Sequence, residues 1–516
     1  DYCRKACSGY GIADNKERTK TYWEYRRLME RLTMQPEEYV QLKRAFQGGF
    51  THANAHYVRE TLQDVGSFDF TSSYPAVMVL EKFPMSRPQL VYPKSITEAE
   101  KYMQLYCCMF DVELVGLSLK NDIDAPLSKS RCIVKEGVVD DNGRVFSADR
   151  VVTTITEQDY FTFKAFYKWD KIAIRNFRVF RRDYLPKPFV MSILKLYQDK
   201  TSLKGVNDRI VDYMLAKALL NACYGMTVTD PLRDEQVYAL DEWQESKTPD
   251  TDDAMENYNS SKTRFLYYPW GVWVTAYARR NLFTGIVAAG NNYVYSDTDS
   301  VKILLENGKI PEHFQEYIDN YEKRTRAKIQ LAAEYHDIDP ALFAPSTIKG
   351  KQKVIGLWDF EGVYNRFKTL GAKRYLIEEE VAMSISSDGY VASAKELLNQ
   401  EQYQENKLGI SIDYAITVSG LRKELTTPWI MSKGEPFEVF DMNLAVPPEY
   451  TGKRTHTYID DEIAGSFEDY MGTMCQYHEM SFIHLEAAPY GLSLTDEFME
   501  LIDTIQYKGK KYEEVS

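Results

Sequence analysis

A multidomain α+β protein is what this sequence predicts, and three observations carry that prediction. Its 516 residues exceed one ordinary core and suffice for about three domains. Short strand-like runs that end in acids or turns are set apart from longer helical runs, the pattern of an α+β chain. Two stretches of distinct composition, 84–186 and 229–262, interrupt what reads as one common core.

With 44% hydrophobic and 13% aromatic residues, the chain can bury substantial cores and is not a disordered one. Its net charge of -13 neither supports nor excludes a nucleic-acid partner, which would need a locally basic groove. The cysteines (Cys3, Cys7, Cys107, Cys108, Cys132, Cys223 and Cys475) include no C-x-x-C pair and no zinc-type spacing, so reduced thiols in a cytosol are expected. No apolar run approaches the roughly 20 residues of a membrane span, and no secretory signal opens the chain. A cytoplasmic protein without a membrane partner is therefore expected. The first residue, Asp1, suggests a cut from something longer.

Residues 1–45 mix basic and aromatic side chains, among them Arg4, Lys5, Tyr22, Tyr25 and Arg26, and read as helical from about Tyr22 to Leu32. A solvated amphipathic helix and a DNA-contacting one fit that pattern equally. The pair Gly48-Gly49 follows, and then a β-like run that delivers Asp69 to its end. The turn Thr71-Ser72-Ser73 leads toward a helix expected from Ala76 to Glu81, and N–H groups at a helix entry commonly bind phosphate oxygens.

Residues 84–186 read as a strand-rich insertion. Helices are expected at about Phe189 to Asp199 and Asn207 to Cys223, joined by a basic loop from Lys200 to Gly205. Spacings of four and three put Lys217, Asn221 and Tyr224 on one helical face. The acidic stretch 229–262 reads as a second insertion, built as a hairpin, and Tyr267 to Ala289 as a hydrophobic helix carrying Arg279 and Arg280.

That helix feeds the run from Val294 to Ile303, where Asp297 and Asp299 are separated by one residue. On a strand of period two they face the same way, and like charges so close call for a cation between them or a retained proton. Mg²⁺ is the hard-oxygen ion usually held like this. A surface turn is the other reading of Asp-Thr-Asp, since short Asx side chains bond their own backbone. Residues 306–346 read as an amphipathic helix, followed by the basic cluster Lys349, Lys351, Lys353, Arg366, Lys368, Lys373 and Arg374.

An acid at a strand end, a Lys-Asn-Tyr helix face and a two-acid segment form the set that phosphoryl transfer by two metal ions asks for. The strings that carry them resemble the family B DNA polymerases, in particular the protein-primed branch of phages and linear plasmids. Asp69-Phe70-Thr71-Ser72-Ser73-Tyr74-Pro75 is similar to D-x-x-S-L-Y-P, with Ser73 for Leu. Lys217 to Gly225 is similar to K-x-x-x-N-S-x-Y-G, with Ala222 for Ser, and Tyr295 to Ser300 to Y-x-D-T-D-S. Lys373-Arg374-Tyr375 fits K-x-Y, and Phe46-Gln47-Gly48-Gly49 fits Y-x-G-G with Phe for Tyr. Each string is short, and their weight lies in their common order.

The resemblance implies a right-hand polymerase of palm, fingers and thumb, with an antiparallel palm sheet and two inserted subdomains. It divides the chain into a linker remnant (1–45), palm (46–83 and 263–384), a terminal-protein-region-like insertion (84–186), fingers (187–228), a processivity hairpin (229–262), thumb (385–465) and a C-terminal extension (466–516). It implies DNA-directed DNA polymerase activity, with Asp69, Asp299 and the Phe70 carbonyl as ligands of two Mg²⁺ ions, Mn²⁺ able to substitute, and Asp297 in support. The Ser72-Ser73-Tyr74 turn would hold the incoming dNTP, Lys217 and Lys200 would neutralise its phosphates, and Asn221 and Tyr224 would line the base-pair pocket. Tyr74 would also exclude a ribose 2′-hydroxyl. Gly48, Gly49, Lys373 and Tyr375 would contact primer-template DNA.

The implied partners are DNA, dNTPs and a terminal protein as primer, for a monomeric enzyme that displaces a strand during replication. A proofreading exonuclease normally precedes such a chain, and polymerisation without proofreading is expected here. A two-metal nuclease would also use paired carboxylates but leaves the Lys-Asn-Tyr face idle. A non-catalytic nucleic-acid-binding protein of the same fold would be expected to lack one of the acids.

Overall fold

The computed structural model describes residues 2–232 except 59, 122, 142, 207 and 208, residues 249–372, and the short strands Tyr238–Ala239, Glu242–Trp243, Arg374–Glu379, Ala382–Ile385, Val391–Ser393 and Ile410–Asp413. Lys373, most of the expected thumb, the C-terminal extension and Cys475 lie outside the described residues.

The segment expected as a linker remnant is folded into three helices, α1 (Tyr2–Cys7), α2 (Asn15–Arg31) and α3 (Pro36–Ala45). Asp14 starts α2 seven residues before the helix was expected, because its side chain caps the N–H of Glu17 at 2.7 Å. Met29, Leu32, Tyr39 and Leu42 from these elements enter the main core. Strands β1 (Thr51–Ala53) and β2 (Thr61–Phe70) follow, and then helix α4 (Ser73–Leu80), which begins three residues earlier than expected.

The first insertion is a layer of its own. Helix α5 (Ile96–Leu105) precedes strand β3 (Cys107–Leu119), and β4 (Arg144–Thr156), helix α6 (Glu157–Phe166) and β5 (Lys171–Phe180) complete its frame. Its sheet runs Gln89–Leu90, β5, β3, β4, Cys132–Glu136, all antiparallel. Two long helices, α7 (Lys187–Leu203) and α8 (Ile210–Gly225), occupy the stretch expected as fingers, and α9 (Thr251–Ser260) follows the small strand pair Tyr238–Ala239 with Glu242–Trp243.

Helix α10 (Tyr268–Ala289) is apolar all round and buried over most of its length, as an internal helix should be. No helix among the described residues is long and apolar enough to cross a membrane. Strands β6 (Tyr293–Asp297) and β7 (Ser300–Leu304), helix α11 (Glu312–His336) and strands β8 (Trp358–Gly371), β9 (Arg374–Glu379) and β10 (Ile410–Asp413) complete the chain. The central sheet has the antiparallel order β1-β6-β7-β2-β8-β9-β10. Strand β10 belongs to it although its residues fall in the stretch assigned to a thumb, so the chain returns to the sheet after residue 385.

The insertion is bolted to α10 by three successive residues of α6. Glu157 accepts from Trp273 Nε1 at 3.0 Å, Gln158 accepts from Arg280 at 2.8 Å, and Asp159 accepts from Arg279 at 2.8 Å. Both Asp159 and Arg279 are 5% exposed. Removing one partner of a buried ion pair strands the other charge, so Asp159→Ala is expected to cost about 3–5 kcal/mol of stability. Chemical denaturation measures this, and a loss below about 1 kcal/mol would contradict the buried pairing.

Candidate active site

The site is built by strand register. Thr51 pairs with Asp297, Asp297 with Ser300, Ser300 with Asp69, and Asp69 with Asp359, so one row of residues crosses five strands at one end of the sheet. Asp297 and Asp299 do not share the face of one strand, as period two had suggested. Asp297 ends β6, Thr298 takes a positive φ of 52°, and Asp299 forms the turn before β7. The hairpin is pinned from both sides, by Thr298 N–H donating to the Phe50 carbonyl at 2.7 Å and Phe70 N–H donating to the Asp299 carbonyl at 2.8 Å. The turn reading was right about local geometry, and the turn is what carries both acids to the Asp69 end of the sheet.

The acids are not equivalent. One Asp297 oxygen accepts from the Thr51 hydroxyl at 2.9 Å and the Thr298 hydroxyl at 3.1 Å. Burial, with Asp299 and then Glu361 nearby, pushes the Asp69 carboxyl up to about 8, against relief from Lys302 and Lys200. Such crowding of carboxylates is the condition a hard cation relieves. Among the described residues no three His, Cys, Asp or Glu side chains form a ready cage. Two carboxylates and a backbone carbonyl fit Mg²⁺ better than a closed cage would, because that ion keeps waters and substrate phosphates among its ligands.

The raised Asp69 value has a stability consequence. Between about 4 and 8 the folded protein holds a proton that the unfolded chain does not, so metal-free stability should fall as pH rises through that window. Thermal midpoints in chelator at pH 5 and 8.5 test this: Asp69→Asn should flatten the slope relative to the parent, and an unchanged slope would contradict the burial.

Helices α7 and α8 reach the turn beside this row. Lys200, at the end of α7, donates to the Ser72 hydroxyl at 2.9 Å. Burial and then Lys217 push the Lys200 ammonium down, while Asp69 and Asp299 pull it up, so Lys200 lies among the carboxylates with Lys217 beside it. Ser72 has a φ of 58° and makes no side-chain cap on α4, leaving the first-turn N–H groups of Ser73 and Tyr74 to other partners. Tyr74 stacks on Tyr224 of α8 at 4.2 Å between ring centroids. Burial, then Asp299, pushes the Tyr74 phenol up to about 12. Lys217 and Asn221 lie on the exposed side of α8.

The glycine pair sits against the hairpin. A Cβ on Gly49 would lie 2.9 Å from Thr298 Cγ2 and 3.1 Å from the Tyr74 hydroxyl, whereas one on Gly48 would meet nothing within 4 Å. Gly49→Ala should therefore cost about 1–3 kcal/mol by overpacking and displace Tyr74, with Gly48→Ala close to neutral. Equal denaturation midpoints for the two variants would refute this. Tyr375 is 7% exposed, its ring 5.2 Å from that of Tyr295, so it supports β6 from below. Phe70 is likewise packed, 3.8 Å from Trp358.

Sequence reasoning missed several supports. Arg279 donates to the carbonyls of Gln47 and Gly48, at 3.2 Å for Gly48. Lys302 donates to Ser67 at 2.7 Å, both buried, and Ser67 to the exposed Glu361 at 3.0 Å, a chain whose two charged ends act on Asp69. No motif marks these residues, because each partner is distant in sequence.

Comparison with known proteins is consistent with this geometry. A family model described as DNA polymerase type B, organellar and viral, matches residues 17–276. The DNA polymerase of Bacillus phage Nf is 22% identical over 346 residues, 65% of this chain and 49% of that protein, and that of Bacillus phage phi29 is 21% identical over the same shares. This chain thus spans about half the length of those relatives. The phi29 polymerase solved with primer-template DNA and incoming nucleotides superposes with a TM-score of 0.51 at 19% identity, covering 78% of this chain and 61% of that one.

Proposed function

The chain belongs to the organellar and viral type B DNA polymerases, and we propose that it adds deoxynucleotides to a primer 3′ hydroxyl under the direction of a DNA template. The observation that carries this reading is the Lys200–Ser72 hydrogen bond, 2.9 Å long, which brings the cationic end of the fingers onto the turn after Asp69. A nuclease needs the acids but has no use for a cationic helix pair facing them.

In this reading the primer oxygen attacks the α-phosphorus of the dNTP and pyrophosphate leaves. Asp69, Asp299 and the Phe70 carbonyl would hold two divalent ions, with Asp297 in support. Those ions, when bound, stabilise the attacking and leaving oxygens. The N–H groups of Ser73 and Tyr74 hold the triphosphate at the α4 entrance, and Lys200 and Lys217 offset charge that grows on it. Tyr74, backed by Tyr224, sets the floor under the sugar, and Asn221 lines the base-pair pocket. The backbone around Gly48 and Gly49, with Lys373 and the strand that carries Tyr375, contacts primer-template DNA.

Protein priming and strand displacement are part of the proposal, supported by the likeness to phage polymerases and by the position of the first insertion. The test supplies primed template and Mg²⁺ with and without dNTPs. Nucleotide-dependent extension supports the polymerase, and nucleotide-independent shortening supports a nuclease. Offering a protein hydroxyl and a DNA primer on one template then separates protein priming from DNA priming.

A further inference from the structure

One buried cation takes no part in the proposed reaction. Lys302 of β7 is 5% exposed, and a lysine is almost never buried so completely unless something answers its charge. Strand register places it. Ser300 pairs with Asp69 and Lys302 with Ser67, so these four side chains share one face of the sheet. The other face carries Phe68, Phe70, Val301 and Ile303 into an apolar core with Leu282 and Ile286 of α10. On the lysine's own face the next positions along the strands are apolar, and Val65 and Leu304 join a cluster with Tyr295 and Phe367. An apolar side chain would pack there as well as the lysine stem does, so the ammonium is the part that packing does not call for.

The ammonium is held in a fixed position. It donates to the Ser67 hydroxyl at 2.7 Å and lies 5.7 Å from the centre of the Tyr364 ring. Ser67 donates in turn to Glu361 at 3.0 Å, and Glu361 is exposed. A single hydroxyl thus joins a buried positive charge to a solvated negative one, two residues along β2 from Asp69. Both ends reach Asp69, Glu361 pushing its carboxyl up and Lys302 drawing it down.

We propose that Lys302 acts through Asp69 as a positioning residue for the metal site: its fixed charge holds down the affinity of the sheet-end carboxylates for divalent cations, and Glu361, tied to it through Ser67, opposes it. The proposal rests on the reading of Asp69 and Asp299 as metal ligands. Crowded carboxylates alone would hold a divalent ion in the absence of substrate. With an ammonium on the same face, an ion is retained when a triphosphate adds its own oxygens, which couples ion occupancy to nucleotide binding. A divalent ion feels the ammonium twice as strongly as a proton does, so removing that charge favours the ion even where the ion displaces a proton.

The experiment measures Mn²⁺ binding to the substrate-free protein at pH 8.5 by electron paramagnetic resonance, with thermal midpoints in chelator recorded for each variant. Lys302→Met should bind Mn²⁺ about 10-fold more tightly than the parent, and Lys302→Arg, which keeps the charge, should stay within about 2-fold of it. Glu361→Gln alters an exposed side chain and should bind about 2–3-fold more weakly, the smaller effect of a solvated charge. A lysine of purely structural importance would lower the midpoint of Lys302→Met and leave its Mn²⁺ affinity at the parental value. That result, or weaker binding, would overturn the proposal. If Lys302→Met did not fold, Glu361→Gln would decide, and unchanged or tighter binding there would overturn it. Asp299→Ala in the same series reports the metal-site reading separately: a parent that binds no Mn²⁺, or binds it no better than Asp299→Ala, removes the metal site and the proposal with it.

Discussion

Asp299→Ala is expected to reduce nucleotide incorporation on the order of 10³-fold or more while primer-template binding survives, the loss of ~4 kcal/mol of transition-state stabilisation. The same substitution should leave the folded protein as stable or more stable. Asp299 is the like charge acting most strongly on Asp69, whose carboxyl is already pushed up to about 8, so removing it relieves repulsion that folding otherwise imposes. Loss of activity with a retained or raised thermal midpoint separates a functional acid from a structural one. Asp297→Asn should be milder, because one Asp297 oxygen is taken up by Thr51 and Thr298. Extension by the Asp299 variant at the parental rate would remove this residue from the metal site.

Tyr74→Val is expected to relax discrimination against ribonucleotides on the order of 100-fold, about 2.7 kcal/mol, because exclusion by steric conflict disappears with the ring. Tyr74→Phe keeps the stack on Tyr224, 4.2 Å away, and should keep the discrimination. The readout is the ratio of kcat/KM for dNTP and rNTP opposite one template base. A ratio unchanged in the valine variant would assign the gate to another residue.

The site residues were legible in the sequence where a short string carries backbone geometry with it. Asp69 at a strand end, the α4 entrance and the Lys217-Asn221-Tyr224 face all follow from local spacing; Asp69 lies at the end of β2, α4 begins three residues after that strand, and Tyr224 of the α8 face stacks on Tyr74. The two-acid segment was legible as chemistry and misread as shape, because Thr298 adopts a positive φ without a glycine to announce it. Lys200 was expected in the loop between two helices; α7 instead continues to Leu203 and carries Lys200 into contact with Ser72. What could not be read were contacts set by register between strands distant in sequence: Thr51 beside Asp297, and Ser67 between Lys302 and Glu361. Arg279 was visible only as a charge on an apolar helix. Its partner Asp159 lies 120 residues away in the insertion, and that pairing makes the insertion part of the site's scaffold.

The central claim is that the sheet-end carboxylates form a two-metal nucleotidyl-transfer site, and the most direct test is single-turnover incorporation of one complementary dNTP at increasing Mg²⁺. The account predicts no product in chelator and a rise steeper than first order in the ion, saturating at one added nucleotide. Product formed in chelator, or a rate indifferent to Mg²⁺, would contradict it.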